Sequence, residues 1–212
     1  MKNSNERNIN VFIVIFLWLS ILISSFALAT SDTPEMKIKV VFGQIESSLV
    51  SLKSTNQFTK SNISNVLTKY LLPEINTRFY SYKVLNKNLA KVPNQLKGEF
   101  VAELSTQLIN TYSHLLSKHD NESINTVASS LSKSGKIAKV NINVVGKNKT
   151  NKVIVKLLKS KEESWQIFDI IIEGISLLDT RQKEMNSSFK RLGVEGTLLH
   201  LKDINQSSTT FS

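Results

Sequence analysis

The sequence predicts an α+β protein: helices first, then an antiparallel meander of strands, then helices again. Two observations carry that prediction. Apolar residues recur at three–four spacing up to about residue 117, alternate with polar ones from about 120 to 172, and return to helical spacing from 175. Turn-forming runs, above all Gly146-Lys147-Asn148-Lys149-Thr150-Asn151, separate the alternating stretches at the intervals of a meander.

The first element is a leader. Residues 1–10 are polar, with Lys2, Glu6 and Arg7, and 11–29 read VFIVIFLWLSILISSFALA, ending in Ala27-Leu28-Ala29. A charged start, an apolar run and an A-x-A site mark a secretory signal peptide over 1–29, cleaved near Ala29. An uncleaved anchor is the rival reading, since about 20 apolar residues span a bilayer. Ser20, Ser24, Ser25 and the small residues before the cut favour cleavage. The chain has no cysteine, which excludes a lipoprotein anchor, disulfides and thiolate chemistry. Sequons at Asn62, Asn121, Asn148, Asn186 and Asn205 reflect an Asn- and Ser-rich composition. The expected setting is a bacterial periplasm, with one soluble domain over 30–205 and a disordered tail over 206–212. Removing Lys2, Arg7 and Glu6 with the leader leaves 25 Lys+Arg against 16 Asp+Glu, a net charge of +9.

Asp32-Thr33-Pro34-Glu35 starts a helix: a capping oxygen, a proline in the first turn, and an acid near the positive helix end. Ile38, Val41, Ile45, Leu49 and Leu52 follow on one face. A second helix is expected from about Ser64 to Leu72, entered through Ser61-Asn62 and broken or kinked at Pro73. Ile75, Phe79 and Tyr82 continue an apolar stripe beyond it. The clearest helix is 95–117, where Phe100, Leu104, Leu108, Tyr112 and Leu115 share a face.

His119-Asp120-Asn121-Glu122 reads as a turn into a weak strand, Ile124–Leu131. Residues 137–145, IAKVNINVV, alternate cleanly, with Ala138, Val140, Ile142 and Val144 inward. Residues 152–159 form the return strand, and Lys161-Glu162-Glu163-Ser164 turns into WQIFDIII (165–172). That last strand is apolar on both faces: strict alternation directs Trp165, Ile167 and Ile171 one way, and Phe168, Ile170 and Ile172 the other. A helix over about 175–192 follows, with Gly193 as its C-cap and a short piece, Gly196–Lys202, behind it.

Few residues can carry chemistry. His114 and His119 lie about 140° apart around a helix, too far to share a metal, and His200 has no histidine neighbour. No phosphate loop, nucleotide fingerprint or Ser/His/Asp signature is present. Asp169 stands in an apolar strand, where a carboxylate must be paired or hydrogen-bonded. Glu173 is four strand positions away, roughly 13 Å, which is beyond the separations of paired catalytic carboxylates. Asp169 is therefore expected to accept from a lysine or a backbone end, and Glu173-Gly174 to redirect the strand into the next helix. Lysines cluster along the meander, from Lys133 to Lys159, but no stacking aromatics interleave with them. Nucleic acid is not expected as a partner; anionic headgroups, an acidic protein or plain solvation suit an exported basic face.

Tyr70-Leu71-Leu72-Pro73, the long helix with Phe100 and Tyr112, Trp165-Gln166-Ile167-Phe168-Asp169-Ile170, Glu173-Gly174-Ile175-Ser176 and Leu192-Gly193-Val194-Glu195-Gly196 occur in that order. This series resembles the MlaC family, also called toluene-tolerance auxiliary proteins, over about 35–205. The resemblance implies a nuclear-transport-factor-two-like sheet with a helical subdomain enclosing an apolar lipid cavity. It also implies a non-enzymatic periplasmic phospholipid shuttle of the lipid-asymmetry system, with no cofactor besides the bound phospholipid. Its partners would be an outer-membrane lipoprotein complex and an inner-membrane ABC transporter with a substrate-binding-protein-like subunit. A carrier of this kind is expected to be a monomer. One departure stands out: many members have Tyr-Arg after the Glu-Gly-Val-Ser turn, where this chain has Arg181-Gln182.

Two sixteen-carbon chains bury on the order of 30 methylenes at about 0.8 kcal/mol each, roughly 20–25 kcal/mol of gross transfer. Such a ligand needs apolar surface beyond that of the core. The expected lining is Phe79, Phe100, Leu104, Leu108, Val155, Leu157, Ile167, Ile171 and Ile175, with no catalytic or metal-binding residue. Two other readings remain open at this point: a small hydrolase or isomerase of the same fold using Asp169 as base, and an adaptor docking an acidic partner through its basic face.

Overall fold

The structure, a computed structural model, describes residues 33–118, 123–146 and 149–210. The leader, His119 with the turn assigned to 119–122, and the middle of the turn after Gly146 lie outside the described residues.

Helix α1 (Pro34–Ser54) is capped by Thr33, whose Oγ1 accepts the amide hydrogen of Met36 at 3.2 Å, with Pro34 in the first turn. Helix α2 (Lys60–Tyr70) begins four residues before the Ser64 expected from apolar spacing. Thr59 caps it by accepting from the Asn62 amide at 3.2 Å, and its first turn is polar, so the hydrophobic period conceals the start. Pro73 ends the helical path as expected: Leu72–Glu74 is a 3-10 turn. Helix α3 (Thr77–Leu85) restarts behind Asn76, whose Oδ1 accepts from the Phe79 amide at 2.9 Å. After a 3-10 segment over Asn86–Lys91, helix α4 runs Asn94–Ser117.

Five strands then form one antiparallel sheet in sequence order: β1 (Ser123–Leu131), β2 (Ile137–Val145), β3 (Thr150–Lys159), β4 (Trp165–Ile172) and β5 (Ile175–Ser176). Ala138, Val140 and Ile142 of β2 pair with Leu157, Val155 and Val153 of β3, and all six are buried. Paired residues share a face, so this row is the floor of the core.

Strand β4 corrects the expected alternation. Its register with β3 jumps from Lys156↔Asp169 to Leu157↔Ile167, leaving Phe168 as a bulge. One extra residue exchanges the faces of everything beyond it. Ile167, Ile170 and Ile172 therefore pair with Leu157, Val155 and Val153 on the core side, and Ile171 lies opposite Ile154 on the outer side. The apolar character on both apparent faces of WQIFDIII is largely one face interrupted by a bulge. The far edge of β4 is covered twice. Ile75 bridges Ile167, with the Asn76 amide donating to the Ile167 carbonyl at 2.9 Å, and β5 pairs with Ile171 and Ile172. Covering an edge in this way removes a site of strand-to-strand association.

Helix α5 (Leu177–Thr210) is bent rather than ended at Gly193, whose φ of 67° and ψ of −166° leave the helical region. The second arm is longer than the expected Gly196–Lys202 and includes residues 206–210 of the segment read as a disordered tail. Residues 206–210 are helical, and Lys60 Nζ bonds the carbonyl of Ser208. Polar composition suggested disorder there; an amphipathic arm docked through Leu198, Leu201 and Asn205 overrides it. Asn205 Nδ2 donates to the Glu103 carbonyl at 2.9 Å. In the core Phe100 stacks on Phe189, with ring centroids 5.7 Å apart, tying α4 to the first arm of α5.

Candidate functional site

A cavity of about 270 Å³ opens where the β2–β3 hairpin end of the sheet meets α1, α2 and α4. Val144, Asn151, Val153, Ile170 and Ile172 form its sheet wall. These positions all lie on the core face of the strands, which Ile170 and Ile172 reach through the Phe168 bulge. Tyr112, Leu115 and Leu116 close it from the last turns of α4, and Leu67 and Leu71 from α2 and its C-cap. The remaining wall is α1 with Phe58, just beyond its end.

The sequence of α1 explains why a cavity forms there. Ile38, Val41 and Ile45 make the buried stripe. Phe42, Glu46, Leu49, Val50 and Lys53 make a second stripe beside it, at steps of three, four and seven, and this one borders the cavity. A helix with only a core to cover needs one apolar stripe. Polar groups at the cavity are few: Glu46 and Lys53, two turns apart on α1, and Asn151 across from them. Lys53 Nζ sits 4.7 Å from the centroid of Phe58, so its cation is held over an aromatic face at the rim.

Size limits what the cavity can hold in this form. An apolar cavity of about 150 Å³ accepts a benzene ring. The present cavity accommodates a stretch of acyl chain and not two complete chains.

None of the nine residues expected as lining borders this cavity. Phe100, Leu104, Val155, Leu157 and Ile167 are buried core residues. Val155 and Leu157 share the face of Val153 but lie further along the strand, where the helices fill the space. Leu108 and Ile167 border a second void of about 10 Å³, the size of a single water, together with Tyr80, Tyr112 and Asp169. Tyr112 and Ile170 touch both voids and form the partition between them. Phe79 packs edge-on against Phe168 at 5.3 Å. Ile171 is half-buried on the outer side, and Ile175 is 62% exposed at the rim of the sheet. The signal in the sequence for the wall of this cavity is the second stripe of α1, where Phe42, Leu49 and Val50 stand beside the stripe that covers the core.

Asp169 is buried and its oxygens are fully engaged. It takes Lys156 Nζ at 3.0 Å, Ser176 Oγ at 3.0 Å and the Leu178 amide at 3.2 Å. Ser176 Oγ in turn accepts from the Asp179 amide at 3.0 Å and caps α5. The carboxylate thus lies at the positive end of a helix, where negative charge is stabilised. Both partners anticipated from the sequence, a lysine and a backbone end, are present. Glu173 and Gly174, at φ of 50° and 83°, form the two-residue hairpin between Ile172 and Ile175. The Glu173 carboxylate accepts from the Lys152 amide at 2.7 Å.

Behind Asp169, burial pushes the Tyr80 hydroxyl up to about 12, a rise that the nearby Arg181 guanidinium partly offsets. Tyr112 borders the cavity, and burial drives the pKa of its hydroxyl well above the usual tyrosine value. Arg181 also donates to Thr111 Oγ1 at 3.0 Å and pairs with Glu184 at 2.6 Å. Among the described residues no cluster of His, Asp and Glu could hold a metal, and no helix is long and apolar enough to cross a membrane.

Residues 41–203 match the family model described as MlaC protein. Among solved structures, the phospholipid-binding protein from Ralstonia solanacearum, determined in complex with a phospholipid, superposes with a TM-score of 0.73. The two are 15% identical, over 82% of this chain and 98% of that one, which shows a shared fold.

Proposed function

Because this chain belongs to the MlaC family, we propose that it is a phospholipid carrier that shuttles lipid between the outer and inner membranes and performs no chemistry on it. The observation that carries this reading is the apolar cavity between the hairpin end of the sheet and the second stripe of α1, with Lys53 and Glu46 at its rim. The phospholipid found with the Ralstonia protein of the same fold supports the choice of ligand. An acyl chain enters between Leu49, Val144 and Ile172, and the headgroup remains outside, near Lys53. A second chain requires α1 to move away from the sheet. The protein works in the periplasm as a monomer, its leader removed and the domain beginning near residue 30. Its partners are an outer-membrane lipoprotein complex and an inner-membrane ABC transporter with its substrate-binding-protein-like subunit.

The hydrolase or isomerase reading is not favoured, because every oxygen of Asp169 is used in joining β3, β4 and α5. To test carriage, the protein is mixed with vesicles containing fluorescent phospholipid and then re-isolated. Co-purification of label with the protein is expected, and a protein that repeatedly returns without label would rule the reading out.

A further inference from the structure

Between Ser123 and Lys161 the chain carries nine lysines and neither aspartate nor glutamate. The fold sets most of the described ones on the outward side of the sheet or at the turns that end its strands, while Lys159, opposite Trp165, shares the parity of the core-facing positions. Lys133 and Lys136 stand at the β1–β2 turn, Lys139, Lys152 and Lys156 point outward from β2 and β3, and Lys149 stands at the β2–β3 turn. Ten residues of β3 span about 33 Å, so the basic surface runs the full length of the sheet. Lys139 lies directly opposite Lys156, an arrangement that costs stability in a sheet. Acids relieve only part of it: Asp169 takes Lys156, and Glu163 takes Lys159. Lys133, Lys136, Lys139, Lys149, Lys152 and Lys161 are exposed and enter no ion pair among the described residues. Half-buried Ile154, Leu158 and Ile171 lie among these lysines on the same side.

We propose that this outward face of β1–β3 docks on a bilayer surface bearing anionic phospholipid headgroups. Charge complementarity selects an anionic surface, and the exclusive use of lysine selects a membrane over a protein. Lysine is depleted in protein interfaces because its ammonium is costly to desolvate. At a lipid surface it stays hydrated and contributes about fivefold in partitioning per residue. Lys149 and Lys152 flank Asn151, which borders the cavity, so docking brings the cavity end of the hairpin close to the bilayer. The proposal rests on the charge pattern and does not depend on lipid carriage.

Sedimentation of the purified protein with vesicles of phosphatidylcholine, with and without phosphatidylglycerol, tests it. Binding is expected only with phosphatidylglycerol and is expected to weaken steeply as salt rises. The triple substitution Lys139→Glu, Lys149→Glu, Lys152→Glu is expected to weaken it about a hundredfold or more, with the circular dichroism spectrum and bound-lipid content unchanged. A charge-matched control, Lys87→Glu, Lys183→Glu, Lys190→Glu, changes exposed helical lysines and is expected to lose far less. Equal binding to both kinds of vesicle, no binding to either, or equal loss in the two triples would overturn the proposal. Salt-sensitive capture of an acidic protein without vesicle binding would overturn it in favour of a protein partner. Carriage is read separately, from the bound-lipid content of the same samples.

Discussion

Asp169 and Ser176 meet at 3.0 Å, and through that contact the bulged strand β4 fixes where α5 begins. The serine caps the helix and the carboxylate supports the cap from beneath while holding Lys156 of β3. Three elements are joined by one acidic side chain.

Asp169→Asn therefore acts on stability and not on ligand. A loss of about 2 kcal/mol is expected, less than the 3–5 kcal/mol typical of a fully buried pair, because the Lys156 side chain is 25% exposed. Ser176→Ala is expected to cost about 1 kcal/mol through the cap alone. Denaturant midpoints measure both. Bound phospholipid per folded chain should be unchanged in each, and its loss in a folded Asp169→Asn protein would contradict the structural role.

Cavity filling separates the lining found here from the lining expected from the sequence. Val144→Trp puts bulk into the cavity and is expected to weaken lipid binding by about 1–3 kcal/mol, which is about five- to 150-fold. Ile175→Trp adds the same bulk at an exposed rim position and is expected to leave binding as it was. Lipid phosphorus per protein, measured on both variants, would contradict the assigned site if the order were reversed.

Much of the fold was legible because alternation and capping are local. The span of β2, the break at Pro73 and the special backbone at Gly193 can all be read from neighbouring residues. The Phe168 bulge cannot, since it is a relation between β3 and β4, and it alone moved Ile170 and Ile172 to the cavity side. That the nine expected positions do not border the cavity between α1 and the sheet has a related reason. Periodicity identifies which face a residue occupies, and the choice between Val153 and Val155 depends on which helix stands above each.

Two buried tyrosines give a pH dependence of known sign. Tyr80 and Tyr112 keep their protons in the folded state above the pH at which an unfolded tyrosine, near 10, would lose them. Unfolding then releases protons, so their contribution to stability is complete below about pH 10 and is lost as pH rises through their raised values, about 12 for Tyr80. Half-buried Tyr70 is shifted the other way, chiefly by its hydrogen bond with Lys69. An absorbance titration should show Tyr70 ionising first, and Tyr80 and Tyr112 only as the protein unfolds. Ionisation of all four tyrosines near pH 10 with the fold intact would contradict the packing around Asp169.

Gly193 carries a backbone conformation that a side chain resists. Gly193→Ala is expected to lower stability by about 1–3 kcal/mol, although nothing lies within 4 Å of where the new carbon would sit. Thermal unfolding checks this, and an unchanged midpoint would mean that the two arms of α5 can join without the bend.

The most direct test of carriage is native mass spectrometry of the protein purified from cells without detergent. A mass increment equal to about one phospholipid per chain is expected, with the lipid identified after release and the increment much reduced in Val144→Trp. A folded protein that consistently flies at its bare mass, or an increment that Val144→Trp leaves untouched, would contradict a lipid site between α1 and the sheet.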